Sequence, residues 1–177
     1  MSDLPLKLER LTDIGYLNIR GNASDSEFVE IVQKVCGVAL PVAANTKDGG
    51  DIKIYWLGPD EWLLAGHIGA ISELAVALAQ ELEHTHTAVN NLSGGQVCYR
   101  LAGDAARDLL AKGCTLDLHS DVFGVDHCAQ TALAKATVLI SPLAVGRGYE
   151  IIVRRSFADY LWQWLMRAGR QYRIEVA

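Results

Sequence analysis

The stretch LGPDEWLLAGH, Leu57 to His67, sets Asp60 and Glu61 side by side, next to a glycine, a proline and a tryptophan. Two carboxylates can divide acid and base roles when both reach one substrate and their surroundings push their proton affinities apart. Adjacent acids at a hairpin tip diverge instead, and Gly58 and Pro59 are the residue types a tight turn selects. The flanks, Ile52–Leu57 and Trp62–Ala65, carry the aromatic and branched residues of strands. The spacing therefore predicts a hairpin whose acids are solvated turn residues.

Other chemistry-bearing types are scattered. Cys114 and His119 stand four residues apart and His127–Cys128 follows, but zinc sites repeat close pairs such as C-x₂-C or H-x₃-H, and neighbours in an extended chain point to opposite faces. His84-x-His86 has a usable strand spacing, yet it falls just after a helical pattern, where a polar linker is expected. A Cys/His nucleophile needs a thiolate favoured by its surroundings, and Cys114 lies beyond a helix end, where the dipole opposes negative charge. Ser93-Gly94-Gly95 and Gly146-Arg147-Gly148 lack the longer signatures of phosphate cradles. Arg154-Arg155, just before a helix start, suits an anion or an intersubunit ion pair, and is taken as an interface candidate. No catalytic, cofactor-binding or metal-binding residue is expected in this chain.

With 177 residues, half of them hydrophobic and a fifth charged, the chain can bury roughly 70% of its unfolded surface and should fold. Sixteen basic against twenty-one acidic residues give a net charge of -5, which offers nucleic acid no general attraction. The longest near-continuous apolar run, Thr137 to Val145, contains Ser141 and Pro142 and is far short of the roughly 20 residues of a membrane span. The opening MSDLPLKLER lacks the basic start and apolar stretch of a signal peptide. A soluble, cytoplasmic protein is expected, with Cys36, Cys98, Cys114 and Cys128 as free thiols.

The elements that must position these residues alternate in period. Leu4–Leu8 and Tyr16–Arg20 read as strands. Ser24-Asp25-Ser26-Glu27 has capping-box spacing before a stripe of Phe28, Ile31, Val32 and Val35, with Gly37 as the stop. Residues 41–50 read as a loop, and Ile71, Leu74, Ala75, Leu78 and Leu82 mark a helix from Ala70 to about Glu83. Strands are expected at His86–Leu92, Gln96–Leu101 and Gly148–Val153, with Cys128–Lys135 and Val138–Leu143 as two strands or one long bent one. The short helix AARDLLAKG turns Leu109 and Leu110 inward, and Gly113 suits a left-handed cap. Ser156 suits the cap of a last helix whose stripe runs from Phe157 to Ala168, leaving Trp162 and Met166 outside it and suggesting a second covered face. The order repeats coarsely. The fold class expected is α+β with two β-α-β-β-α-β-like halves, 1–93 and 94–177, forming one compact unit.

Four blocks add a resemblance: LGPDEWLL (Leu57–Leu64), LSGGQVCYRLAGDAARDLLAKGCTLDLH (Leu92–His119), CAQTALAKATVLI (Cys128–Ile140) and VRRSFADYLWQWL (Val153–Leu165). In this order they resemble the gamma subunit of heterotetrameric sarcosine oxidase. The resemblance implies a non-catalytic, structural subunit of an oxidoreductase complex of sarcosine catabolism and one-carbon metabolism. That complex would demethylate sarcosine oxidatively to glycine, with hydrogen peroxide and methylene-tetrahydrofolate formation. It implies alpha, beta and delta subunits as partners, with FAD, FMN, NAD and tetrahydrofolate held by those partners and none by this chain. It also implies a fold resembling part of the folate-dependent aminomethyltransferases, which the segment from Gly103 fits, although no acidic folate anchor is matched. Interface candidates are then Trp56, Trp62, Arg154, Arg155, Trp162 and Met166, since tryptophan and arginine are enriched where partners bind. The alternatives are an independent folate-binding or one-carbon transfer protein, and a small Cys/His hydrolase.

Overall fold

In the computed structural model, which describes residues 6–145 and 147–177, strand pairing sorts the chain into two units. The first strand, β1 (Leu6–Leu11), belongs with the end of the chain, so one unit is Asp13–Gly94 and the other joins residues up to Thr12 to Gly95–Ala177. The expected halves divide the chain at 93/94, whereas strand pairing assigns β1 to the second unit.

The inner unit runs β2 (Ile14–Arg20), α1 (Ser26–Cys36), β3 (Lys47–Gly49), β4 (Lys53–Gly58), β5 (Glu61–His67), α2 (Ile68–Glu81) and β6 (Ala88–Asn91). Its sheet has the order β3-β4-β5-β2-β6 and is antiparallel throughout. Alternation puts Leu17, Ile19, Ile54, Trp62 and Leu64 on the face that packs against Phe28 and Val32 of α1 and Ile71 and Leu78 of α2. Gly37 ends α1 at φ 67°, as expected, but the cap is Asp25, which accepts the Glu27 amide at 3.0 Å, one residue beyond the Ser24 that the capping-box spacing predicts. The region read as a loop gains a short edge strand, β3, because Lys47–Gly49 pairs with Lys53–Tyr55 across a turn. Trp62 is fully buried, its ring 5.7 Å from that of Phe28 and its indole N–H donating to the Pro41 carbonyl at 2.7 Å. One side chain thus ties the sheet, α1 and the following loop together.

The second unit continues with β7 (Gln96–Ala102), α3 (Ala106–Leu110), β8 (Ala129–Leu133), β9 (Ala136–Pro142), β10 (Gly148–Arg154), α4 (Ala158–Ala168) and β11 (Ile174–Val176). Its sheet order is β11-β1-β7-β10-β9-β8, with β1 antiparallel to β7 and parallel to β11. Each sheet therefore repeats one plan, and the second inserts β1 between the strands that would otherwise adjoin. Leu6, Leu8, Tyr99, Leu101, Ile140, Ile151 and Val153 meet Leu109 and Leu110 of α3 and Leu161 and Leu165 of α4. On the other face Arg100 lies directly opposite Glu9 of β1 and Glu150 of β10, reaching them at 3.5 and 3.1 Å.

Of the two readings open for Cys128–Leu143, the two-strand one holds: Ala129–Leu133 and Ala136–Pro142 form a hairpin, with Ala134 at φ 53° in its two-residue turn. Two other local expectations change. Gly113 is not a left-handed cap: a Cβ there would collide with the Trp164 ring, so close packing selects the glycine. Ser156 does not cap α4, because a single 3₁₀ turn, Arg155–Phe157, leads into it and no side chain caps its first residue. Of the strand expected at Leu4–Leu8, Leu4 and Pro5 lie outside the described residues.

Alanine in the left-handed region pays a steric cost of about 1–2 kcal/mol that glycine avoids, offset in part by glycine's freer unfolded chain. Ala134→Gly should therefore stabilise the protein by about 0.5 kcal/mol, and a thermal melt that falls instead would show the turn to be unstrained.

Candidate functional site

The LGPDEW hairpin forms as the turn residues predict, with Trp56 opposite Trp62 and an irregularity between Trp56 and Gly58. Its two acids diverge in role. Glu61 lies on the face of β5 away from the helices, directly across from Arg20, and its carboxylate accepts from Arg20 at 2.6 Å and from the Asn18 amide at 2.9 Å. The hydrogen bond from Arg20 chiefly holds the Glu61 carboxyl below its usual range, with burial pulling the other way. An acid stabilised as the anion in this way pins two strands and is a poor proton carrier near neutrality. Asp60 is exposed, and its backbone carbonyl accepts the Gly21 amide at 3.1 Å.

The other sequence candidates stay apart. His119 contacts Asp121 at 3.6 Å and His127 contacts Asp126 at 2.9 Å, each an ion pair only when the imidazole is protonated. Cys128 is fully buried while His127 is half-buried beside it. His84 and His86 are exposed between α2 and β6. Burial alone pushes the Cys36 thiol up to about 11, and of the four cysteines only Cys114 is half-exposed. Among the described residues no three His, Cys, Asp or Glu side chains gather as a metal site would require.

The interface candidates divide. Trp62 is spent inside its own unit, and Trp56 is half-buried against the same core. Trp162 and Met166 flank the buried Leu161 and Leu165 and pack half-buried on the second core, Trp162 lying 5.4 Å from the Tyr99 ring. Arg154 and Arg155 are exposed, as are Phe157 and Tyr160 on the adjoining turns.

One concavity was invisible in the sequence. A cleft of about 600 Å³ opens in the second unit between the loop into α3 (Gly103–Arg107), the irregular stretch Leu118–Val125, the end of β9 (Pro142, Leu143) and the start of β10 (Arg147–Tyr149). Its walls are fixed from the sheet. Gly148 pairs with Ala102 at φ 148°, where a Cβ would strike the Leu101 carbonyl, and the Gly103 amide donates to Arg147 O at 2.8 Å. The Tyr149 hydroxyl donates to the Leu118 carbonyl at 3.0 Å, and burial raises its proton affinity. At the mouth, Arg147 bonds Asp104 at 3.0 Å. Fixed guanidinium groups over an apolar floor bind and orient anions. Glycines and arginines spaced over 45 residues left no linear signal of this arrangement.

Two sheets, antiparallel except for the β1–β11 pair and each covered on one face by a pair of helices, define an α+β chain with the fold found within glycine-cleavage aminomethyltransferases. The aminomethyltransferase T of Bartonella henselae superposes with a TM-score of 0.69 over 99% of this chain and 48% of that one, at 15% identity, a likeness of fold. The model of the sarcosine oxidase gamma subunit family matches residues 20–171, and the chain belongs to that family. The sarcosine oxidase subunit gamma of Corynebacterium sp. (strain P-1) is 33% identical over 168 residues, 93% of this chain and 78% of that protein. A chain of the heterotetrameric sarcosine oxidase from Corynebacterium sp. U-96, solved in complex with pyrrole 2-carboxylate, superposes with a TM-score of 0.90 at 29% identity, covering 100% of this chain and 90% of that one.

Two outcomes follow from the paired Glu61 and the buried thiols. Because the folded carboxyl titrates below its unfolded value of about 4.3, its contribution is present above that pH and lost as pH falls through the folded value. Glu61→Gln should lower the melting temperature at pH 7 by about 2–4 °C, on the order of the 1 kcal/mol of one such hydrogen bond, and the difference from the unsubstituted protein should shrink below pH 4. In the native protein at pH 8 a thiol reagent should modify Cys114 first, with Cys36, Cys98 and Cys128 reacting only on unfolding. Peptide mapping of the label checks this.

Proposed function

We propose that this chain is the gamma subunit of a heterotetrameric sarcosine oxidase and serves the assembly as a structural, non-catalytic subunit. The observation that carries the proposal is the whole-length superposition on a chain of such a complex. The dispersal of ionisable side chains supports a structural role: Glu61 is committed to Arg20 and Asn18, and Arg100 to Glu9 and Glu150. Such groups fix strand register.

On this reading the partners are alpha, beta and delta subunits, and FAD, FMN, NAD and tetrahydrofolate are held by them. The complex converts sarcosine to glycine with formation of hydrogen peroxide and methylene-tetrahydrofolate, in the cytoplasm. No helix among the described residues is long and apolar enough to cross a membrane.

Coexpression of the other three subunits with and without this chain tests the proposal. Loss of the chain should lower the yield of assembled complex more than the flavin chemistry of whatever complex forms, read by size-exclusion chromatography and by peroxide release per bound flavin. Full assembly and full sarcosine turnover without it would refute the structural role. Tight binding of tetrahydrofolate to the isolated chain, measured by calorimetry, would favour an independent one-carbon protein instead.

A further inference from the structure

The irregular stretch between α3 and β8 carries its own fastenings, and two of them hang on a single ring nitrogen each. Gly124–His127 is a turn clasped twice: the His127 amide donates to the Gly124 carbonyl at 3.0 Å, and the Gly124 amide donates to His127 Nδ1 at 3.2 Å. Just before it, the His119 carbonyl accepts the Val122 and Phe123 amides at 3.0 and 2.8 Å, while His119 Nδ1 accepts the Asp121 amide at 3.3 Å. Between the two clasps Phe123 is buried in the core of the second unit. Gly124 and Val125, on the far side of it, form part of the cleft wall.

Each of these nitrogens also faces a carboxylate. His127 Nδ1 lies 2.9 Å from Asp126 Oδ1, and His119 Nδ1 lies 3.6 Å from Asp121 Oδ2. The two kinds of neighbour make opposite demands, because an amide N–H needs the lone pair of the nitrogen and a carboxylate needs a proton on it. One atom cannot meet both. A neutral imidazole protonated on Nε2 accepts the amide and turns a lone pair toward the anion; the imidazolium donates to the anion and leaves the amide without its acceptor. Imidazole exchanges these forms within about pH 5–8. Other charges stand further around the loop. Asp104, Arg107 and Arg147 line the cleft with Gly124, Arg147 being paired with Asp104, and Arg107, Asp108 and Asp117 line a smaller hollow with His119, whose amide Asp117 accepts.

We propose that His127 is a proton-operated latch on the cleft wall. Its neutral ring holds the Gly124 amide and keeps the turn after Phe123 closed; in acid the imidazolium turns to Asp126 and releases that turn. His119 repeats the arrangement more loosely at the other side of Phe123. The latch is independent of the subunit reading.

Nuclear magnetic resonance of the isotope-labelled full chain tests it. At about pH 8 the Gly124 amide proton should resonate downfield, as a bonded amide does, and it should move upfield as the pH is lowered to about 5. Its solvent exchange, corrected for the intrinsic pH dependence, should rise about fivefold, the factor that one ordinary hydrogen bond is worth. His127→Asn supplies a carbonyl oxygen close to the place of Nδ1, an acceptor that does not titrate, so Gly124 should stay bonded at both pH values. His127→Ala should leave the amide unbonded at both. The Asp121 amide, which reports His119, should titrate alike in all three proteins. A Gly124 amide that stands still between the two pH values in the unsubstituted chain overturns the latch. So does one that moves as far in the asparagine variant, since another group would then be the cause. Should the alanine variant not fold, the unsubstituted chain and the asparagine variant still decide.

Discussion

A guanidinium set in the middle of a six-stranded sheet must be answered by charge, and that requirement organises the second unit. Arg100 has an acid directly opposite it on each neighbouring strand, Glu9 on β1 and Glu150 on β10. The Glu150 side chain is only 5% exposed, so a misaligned pair would strand a buried anion. A slip of one residue would also carry Arg100 to the face where Tyr99 and Leu101 meet the helices. Charge and hydrophobic pattern thus enforce the same register. That register sets Gly148 against Ala102, brings Gly103 under Arg147, and so shapes the cleft at the end of the same strands.

The inner unit solves the same problem more cheaply. Asn18, Arg20 and Glu61 share one face of β2 and β5, and a neutral amide takes the buried place. The GPDEW segment is therefore a structural signature whose acid aligns two strands and whose tryptophan anchors the opposite face. The two aromatic anchors work alike: Trp62 donates to the Pro41 carbonyl, and Tyr99 donates to the Ala158 carbonyl at 3.0 Å while stacking near Trp162. In each unit a hydrogen bond from a buried ring fastens an irregular segment or a helix start to the sheet.

What could be read from the sequence was what local chemistry writes there. Gly37 ends α1, Leu109 and Leu110 face inward, and Gly58-Pro59 marks its turn, because each depends on near neighbours. The two strands of Ala129–Pro142 were legible but the turn between them was not, because Ala134-Lys135 contains no turn-forming residue and its geometry is imposed by pairing on either side. Gly113 read as a cap because its true reason, the Trp164 ring, lies fifty residues away. Arg100 and Glu150 are each an acid or base interrupting an apolar strand, a signal that becomes meaningful only when the two strands are known to adjoin. The cleft is the extreme case, since loops have no period and its walls come from three segments.

The placement of β1 has a consequence for how the chain reaches its native state. During synthesis Asp13–Gly94 emerges with every strand of its own sheet, so it can close while the rest is still being made. The very first strand has no such companion. One of its edges must wait for β7 and the other, longer, for β11, so until β11 has been made the second unit carries an open, sticky strand edge.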